Sequence, residues 1–177
     1  MEALGHFIFE LFKIAILSVA YAGVLFWVGA LFLRLTKRDA TFSRRKFFCT
    51  YLVLYGILLV FSFTYYGDHG LGDSYHIPLG HGETMSAGDM YAYFEPGGKL
   101  EQIDIESYQV KGDYLCIATD SGYLVYNLST RESINFDTKQ EYNTYALKHN
   151  LPDADLFLDF FKQYDNYWSG WRFWTMP

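Results

Sequence analysis

Two long stretches without a charged side chain constrain this chain more than any other feature. One run covers 14–33 and the other covers 47–66, and each has 20 residues. At about 1.5 Å of rise per residue, a helix of that length crosses the roughly 30 Å hydrocarbon core of a bilayer. Neither run has the polar stripe of a helix that borders a soluble core. We therefore predict two transmembrane helices, with the lipid bilayer as one partner.

The segment between the two runs predicts their orientation. Residues 34–46 carry one acidic side chain, Asp39, against six basic ones. The basic residues are Arg34, Lys37, Arg38, Arg44, Arg45 and Lys46. Short loops rich in Lys and Arg remain in the cytoplasm. We predict a multi-pass protein of the cell inner membrane whose amino and carboxyl termini are both extracytoplasmic, which in a Gram-negative host means periplasmic.

A cleavable signal peptide is the alternative interpretation of the first run, because Ala20, Tyr21 and Ala22 have the small-x-small form of a cleavage site. Glu2 and Glu10 lie where a signal peptide would be basic, and the apolar run continues past this site. We expect the first helix to be retained.

Small residues predict where the helices approach one another. Ser18, Ala22 and Gly29 share one face of the first helix, and Gly56 is the nearest counterpart in the second. The two runs contain no ionisable residue, whereas transporters and channels usually carry some within the membrane. We therefore predict an anchor and not a transport pathway.

The rest of the chain predicts a small domain. Residues 67–88 are rich in Gly and polar side chains and are predicted to form an irregular linker, and residues 89–177 are predicted to form an extracytoplasmic β-rich domain. Its clearest unit is a hairpin, Tyr114–Leu128, which turns at 119–122. A single copy of this hairpin excludes a β-propeller, and we predict a meander of four to six antiparallel strands.

Two helices are predicted to follow the strands, at 138–150 and 153–167, the second with a stripe that includes Leu156, Phe160 and Phe161. The predicted fold class is a membrane-anchored α+β protein. It consists of a two-helix transmembrane hairpin (about 14–33 and 47–66) and a small antiparallel β-meander domain covered by C-terminal helices.

Composition and spacing argue against several kinds of chemistry. The net charge of −6 is unsuited to binding nucleic acid. His69, His76, His81 and Glu83 are candidate metal ligands, but they lack helical spacing and lie in a Gly-rich segment, so we expect no metal. The sequence has no Gly-x-Ser-x-Gly or His-Glu-x-x-His motif. We predict no catalytic residues and no cofactor.

The aromatic end of the chain is the predicted partner-binding segment. Its residues are Trp168, Trp171, Arg172 and Trp174, and Trp and Arg dominate the energetics of interfaces. The three tryptophans have three possible roles, which are to complete the domain core, to rest at the membrane surface or to anchor a protein partner.

These features together predict a non-enzymatic, membrane-anchored interaction protein at the outer face of the inner membrane. One form of this function is an immunity protein that neutralises an incoming toxin. The alternatives are an accessory subunit of an envelope membrane complex and, from a different class, a metal-dependent membrane-tethered enzyme that uses the His-rich linker.

Overall fold

The chain divides into two compact units. The computed structural model describes residues 2–36, 43–67, 75–88, 91–98 and 102–177. The first unit contains Met1–Gly72 together with Phe173–Pro177, and the second contains Asp73–Arg172. The first unit holds two long apolar helices, and the second holds two antiparallel sheets with helices after them.

The helices of the first unit, α1 (Glu2–Leu35) and α2 (Arg44–Ser62), are both long and apolar enough to cross a bilayer. Helix α1 begins well before the predicted start at Ile14, because residues 2–13 contain no proline to interrupt it. Helix α2 begins at Arg44, directly after Ser43, and ends at Ser62 instead of Tyr66. Near that end, the hydroxyls of Ser62 and Thr64 donate hydrogen bonds to the carbonyls of Leu59 and Phe61.

The two helices pack against one another, but not through the predicted glycines. Ser18 and Ala22 are buried, as is Ile14, whose carbonyl accepts a hydrogen bond from the Ser18 hydroxyl. Gly29 and Gly56 are exposed, and a Cβ added to either would have no neighbouring atom within 4 Å. Instead, the rings of Phe26 and Phe47 meet edge to face, with their centroids 5.4 Å apart. Rings of this size require wider helix spacing than small residues do.

In the described part of the second unit, eight strands form two four-stranded sheets in which sequential strands are neighbours. Sheet A contains β1 (Tyr75–Gly80), β2 (Glu83–Gly88), β3 (Tyr91–Phe94) and β4 (Ile103–Ile105). Sheet B contains β5 (Ser107–Lys111), β6 (Tyr114–Thr119), β7 (Gly122–Asn127) and β8 (Ser133–Phe136). The predicted hairpin is confirmed as β6 and β7, which pair from Tyr114↔Asn127 to Thr119↔Gly122.

The prediction of an irregular linker over 67–88 is wrong for its second half. Strands β1 and β2 pair there as an antiparallel hairpin. Gly80, His81 and Gly82 have φ values of 96°, 53° and 80° at its turn. Glycines that resemble a flexible linker in the sequence thus provide the left-handed backbone that a tight turn requires.

An apolar core joins the two sheets. It includes Met85 of β2, Phe94 of β3, Ile117 of β6, Tyr126 of β7 and Phe160 of a following helix. The chain passes from sheet A to sheet B at Glu106, whose N–H donates to the carbonyl of Ala118 at 3.0 Å. The other face of sheet B, with Cys116 and Val125, packs against Tyr142 and Ala146 of another helix.

The helix predicted over 138–150 is confirmed as α3 (Lys139–His149). The hydroxyl of Thr138 accepts a hydrogen bond from the N–H of Glu141 at its start, and Asn150 adopts a left-handed conformation at its end. Thr is favoured at helix starts because its hydroxyl can accept such a hydrogen bond, and Asn is favoured at helix ends because it tolerates the left-handed conformation.

The helix predicted over 153–167 is wrong in its first half. A short 3₁₀ turn (Ala154–Leu156) comes first, and the helix α4 runs from Phe160 to Trp168. The carboxylate of Asp159 caps α4, and the hydrogen bond that it accepts from the N–H of Lys162 lowers the pKa of Asp159. Phe160 is buried, whereas Leu156 and Phe161 are exposed. A final helix, α5 (Trp171–Thr175), follows.

The tryptophans at positions 168 and 171 allow a matched test of this core. Trp168 is 8% exposed and donates its indole N–H to the carbonyl of His76, whereas Trp171 is 60% exposed. We expect Trp168→Ala to lower the free energy of unfolding by about 3 kcal/mol, as for other large buried aromatics. Trp171→Ala is expected to lower it by about 1 kcal/mol or less, because the Arg172 guanidinium lies 5.0 Å from this exposed ring. Denaturant titration of the full-length protein in detergent measures both values, and equal losses would contradict this packing.

Candidate functional site

A cleft opens in the second unit where residues from both sheets line the same cavity. Its volume is about 520 Å³, and its lining combines apolar side chains with hydroxyl, amide and charged groups. Ile103 and nearby Pro96 come from the sheet A side, whereas Leu124, Ser133 and Asn135 come from sheet B. The lining also includes Thr119, Ser121, Gly122, Tyr123, Tyr126, Arg131, Phe136 and Asp137.

A buried carboxylate lies beside this cleft. Glu83, the first residue of β2, is 2% exposed. One of its oxygens, Oε2, accepts a hydrogen bond from the N–H of Gly97 at 2.9 Å. The other, Oε1, lies 3.3 Å from Nε of Arg131 and 3.5 Å from the hydroxyl of Tyr126. One side chain therefore connects sheet A, the turn after β3, strand β7 and the β7–β8 turn.

Burial and the adjacent carboxylate both favour the protonated phenol of Tyr126. Burial raises the pKa of Tyr126, and the adjacent Glu83 carboxylate raises it further, while Arg131 opposes this change. The phenol therefore acts as a hydrogen-bond donor to Glu83. The Tyr126 ring also meets Phe94 of sheet A edge to face, with ring centroids 5.0 Å apart.

Arg131 contacts Glu83 and also lines the cleft. It adopts a left-handed backbone conformation with φ of 63°, which is uncommon for a residue other than glycine. Its side chain is 59% exposed. The guanidinium lies next to Gly97, because a Cβ added at that glycine would be 3.4 Å from Nη1 of Arg131. The ion pair holds the guanidinium in one place while water or a ligand can still reach it.

Strand β8 forms an edge of the cleft. Among the described strands it pairs only with β7, and Ser133, Ile134 and Asn135 are all exposed. In the register of this pair, Ser133 lies opposite Tyr126 and Asn135 lies opposite Leu124. Ser133 and Asn135 are thus on the face of sheet B that carries the core. An exposed edge strand offers backbone groups with which another strand can pair.

The candidate metal ligands have separate partners. Nδ1 of His76 lies 2.9 Å from the Ser86 hydroxyl, and Nε2 of His81 lies 3.1 Å from Oδ1 of Asp113. Glu83 belongs to the cluster with Arg131, and His69 lies outside the described residues. Among the residues that the structure describes, no group of three His, Cys, Asp or Glu side chains is placed to hold a metal ion.

The predicted partner-binding residues are in different environments. Trp168 is packed in the core of the second unit. The Arg172 guanidinium lies 4.1 Å from the ring centroid of Tyr167 and 5.0 Å from that of Trp171. Arg172 also lines a second cavity of about 330 Å³ with Tyr108 and Gln163. Trp174 is 74% exposed and belongs to the first unit.

Four of the six basic residues used to predict orientation are described, namely Arg34, Arg44, Arg45 and Lys46, and all four are exposed. Arg34 lies in the last turn of α1, and the other three begin α2. Lys37 and Arg38 lie outside the described residues.

Comparison with known proteins identifies no relative. No protein family model, no curated protein sequence and no solved structure matches this chain.

The sequence indicated Glu83 only as a candidate metal ligand and did not point to Tyr126 or Arg131. A Glu at the start of an otherwise neutral strand could have indicated a buried ion pair. Its cationic partner, 48 positions further on (131 − 83), could not be identified by spacing.

The Glu83 cluster predicts a graded series of stabilities. Glu83→Ala removes the acceptor of two hydrogen bonds and the partner of Arg131, so we expect it to lower the free energy of unfolding by about 3 kcal/mol. Glu83→Gln keeps an acceptor for the N–H of Gly97, and we expect a loss of about 1 kcal/mol. The exposed Glu132→Ala is the control, with a change below about 0.5 kcal/mol. Denaturant titration measures the series, and equal stabilities for Glu83→Ala and Glu132→Ala would refute the role of the cluster.

Proposed function

We propose that this protein is a non-enzymatic interaction protein, anchored in the inner membrane by α1 and α2. Its β-domain, the second unit, binds a protein partner at the extracytoplasmic face. The proposal has three parts, which are the membrane anchor, its orientation and the partner surface, and a different feature supports each.

The exposed apolar surface of α1 and α2 carries the proposal. Only 17% and 6% of the residues in their most apolar windows are buried. Phe12, Trp27 and Val60 are each exposed by more than two thirds. Each such side chain left in water forgoes about 1.5–3 kcal/mol of burial free energy. A bilayer removes this cost, and helices suit it because their backbone polar groups are paired internally.

Charge supports the proposed orientation. Arg34 lies in the last turn of α1, and Arg44, Arg45 and Lys46 begin α2, so these exposed cations lie at the connected ends of the two helices. The positive-inside rule assigns such an end to the cytoplasm. The second unit and both termini would then be extracytoplasmic.

The cleft and strand β8 support the proposed partner surface. An extended segment of a partner can pair with the exposed edge of β8 while its alternate side chains enter the cleft beside Ser133 and Asn135. The Arg131 guanidinium, fixed by Glu83 and partly exposed, would favour an acidic or carbonyl-rich segment. Backbone pairing of this kind supplies affinity, and the cleft supplies selectivity.

The proposed partner is an incoming toxin that the anchored domain neutralises. An envelope membrane complex, of which this chain would be an accessory subunit, is the other partner class. A toxin would be secreted by another cell, whereas an envelope complex would reside in the same membrane. This difference distinguishes the two partner classes.

The orientation is tested by cysteine labelling in intact cells. In a Cys49→Ser background, we expect Asp120→Cys to react with an impermeant thiol reagent once the outer membrane is permeabilised. Thr41→Cys should react only after the inner membrane is disrupted. Cys116 is buried and should remain unlabelled without denaturant. The reverse order of labelling would contradict the orientation. Recovery of the protein in the soluble fraction, with both cysteines labelled equally, would contradict the anchor.

The partner surface is tested by site-specific photo-crosslinking in cells. We expect probes at Ser133 and Asn135 to give the same crosslinked partner, and a probe at the exposed Lys148 of α3 to give none. Asn135→Trp should fill part of the cleft and reduce crosslinking from Ser133 about tenfold, which corresponds to about 1.4 kcal/mol of binding. Lys148→Trp is the matched control. Crosslinking from Lys148 alone would place the partner elsewhere on the domain.

A further inference from the structure

The last residues of the chain belong to the unit of α1 and α2. The segment Phe173–Pro177, here called the C-terminal segment, contacts α1 at two points. The hydroxyl of Tyr21 donates a hydrogen bond to the carbonyl of Thr175, and the Lys13 ammonium lies 5.2 Å from the ring centroid of Phe173. Pro177 is buried.

The two contact points define the depth of the segment. Lys13 and Tyr21 are about 12 Å apart along the axis of α1. Lys13 lies just before the apolar run that begins at Ile14, whereas Tyr21 lies about 10 Å inside that run. The C-terminal segment therefore extends along α1 from the boundary of the proposed membrane span into its outer half.

The hydrogen bond from Tyr21 suits a site within lipid. In the hydrocarbon region no water is available for a backbone carbonyl at the end of a helix, such as that of Thr175 in α5, so another protein group must supply the donor. A tyrosine hydroxyl at this depth also needs a partner. The pair formed by Tyr21 and Thr175 meets both requirements.

An apolar groove lies between the C-terminal segment and α1. Its volume is about 600 Å³, and its lining includes Ile8, Phe9, Phe12 and Ile16 of α1 with Phe173 and Trp174. Phe12 and Trp174 are 69% and 74% exposed. The groove continues onto the exposed apolar surface of α1, the surface that would face lipid.

We infer that the C-terminal segment inserts into the outer leaflet beside α1, where Tyr21 holds it and Trp174 and Phe173 contact phospholipid acyl chains. This inference rests on the proposed membrane anchor and adds a third element to it. The chain that leaves the bilayer after α2 would then return to it at its end, so that both ends of the second unit are tethered.

The test uses the full-length protein in vesicles whose phospholipids carry bromine either near the carbonyl end or near the methyl end of the acyl chain. Bromine quenches tryptophan fluorescence on contact. The quenching of each tryptophan is the difference between the wild type and the Trp27→Phe, Trp168→Phe or Trp174→Phe variant. We expect Trp174 to be quenched more by the shallow bromine and Trp27 more by the deep one. Trp168, buried in the β-domain, should be quenched by neither.

The outcomes separate this inference from the anchor itself. Quenching of Trp27 without quenching of Trp174 overturns the inference and leaves the anchor intact. If Trp27 is not quenched either, the anchor fails as well.

A second variant tests the role of Tyr21. Tyr21→Phe should shift the segment from the inserted to the released state about threefold, the effect of an average hydrogen bond within a membrane protein, and quenching of Trp174 should fall accordingly. Tyr51→Phe on α2 is the matched control and should leave it unchanged. Unchanged quenching in Tyr21→Phe overturns the role assigned to that hydroxyl.

Discussion

The side chain of Glu83 holds together the side of the β-domain where the cleft opens. Its two oxygens engage a backbone N–H, a phenol and a guanidinium from three separate parts of the chain. A carboxylate that is 2% exposed is stable only with partners of this kind, because the cost of removing its charge from water must be offset. The geometry of the cleft and the position of Arg131 both depend on this cluster.

The two units differ in how far their apolar side chains are buried. The second unit encloses its apolar side chains between two sheets, where Met85, Phe94 and Ile117 are fully buried. In the first unit many large apolar side chains of α1 and α2, such as Phe12, Trp27 and Val60, are exposed. Burial of apolar side chains stabilises the first arrangement in water, whereas the second is the arrangement that an apolar solvent would favour. The proposed membrane anchor accounts for this contrast within one chain.

Local patterns predicted the elements whose determinants are adjacent in sequence. The β6–β7 hairpin follows from alternating side chains around 119–122, and α3 follows from Thr138 and Asn150 at its ends. The linker prediction failed at β1 and β2, because glycines at a tight turn and glycines in flexible chain look alike in composition. The four-to-six-strand prediction was too low for the same reason, since it omitted this hairpin. The stripe predicted around Phe160 was right for that residue and wrong for Leu156 and Phe161, because the helix begins later than its periodicity suggested.

The sequence by itself determined two apolar helices, an antiparallel β-domain and the helices that follow it. These depend on the length of apolar runs, on alternation and on capping residues, all of which act over a few positions. Only the tertiary structure decided how the tryptophans are divided, with Trp168 in a core and Trp174 exposed in the unit of α1. It also decided that Glu83 pairs with Arg131 and that Tyr21 meets Thr175. Such contacts join residues that are distant along the chain, and their partners are selected by packing and by the need to pair buried polar groups.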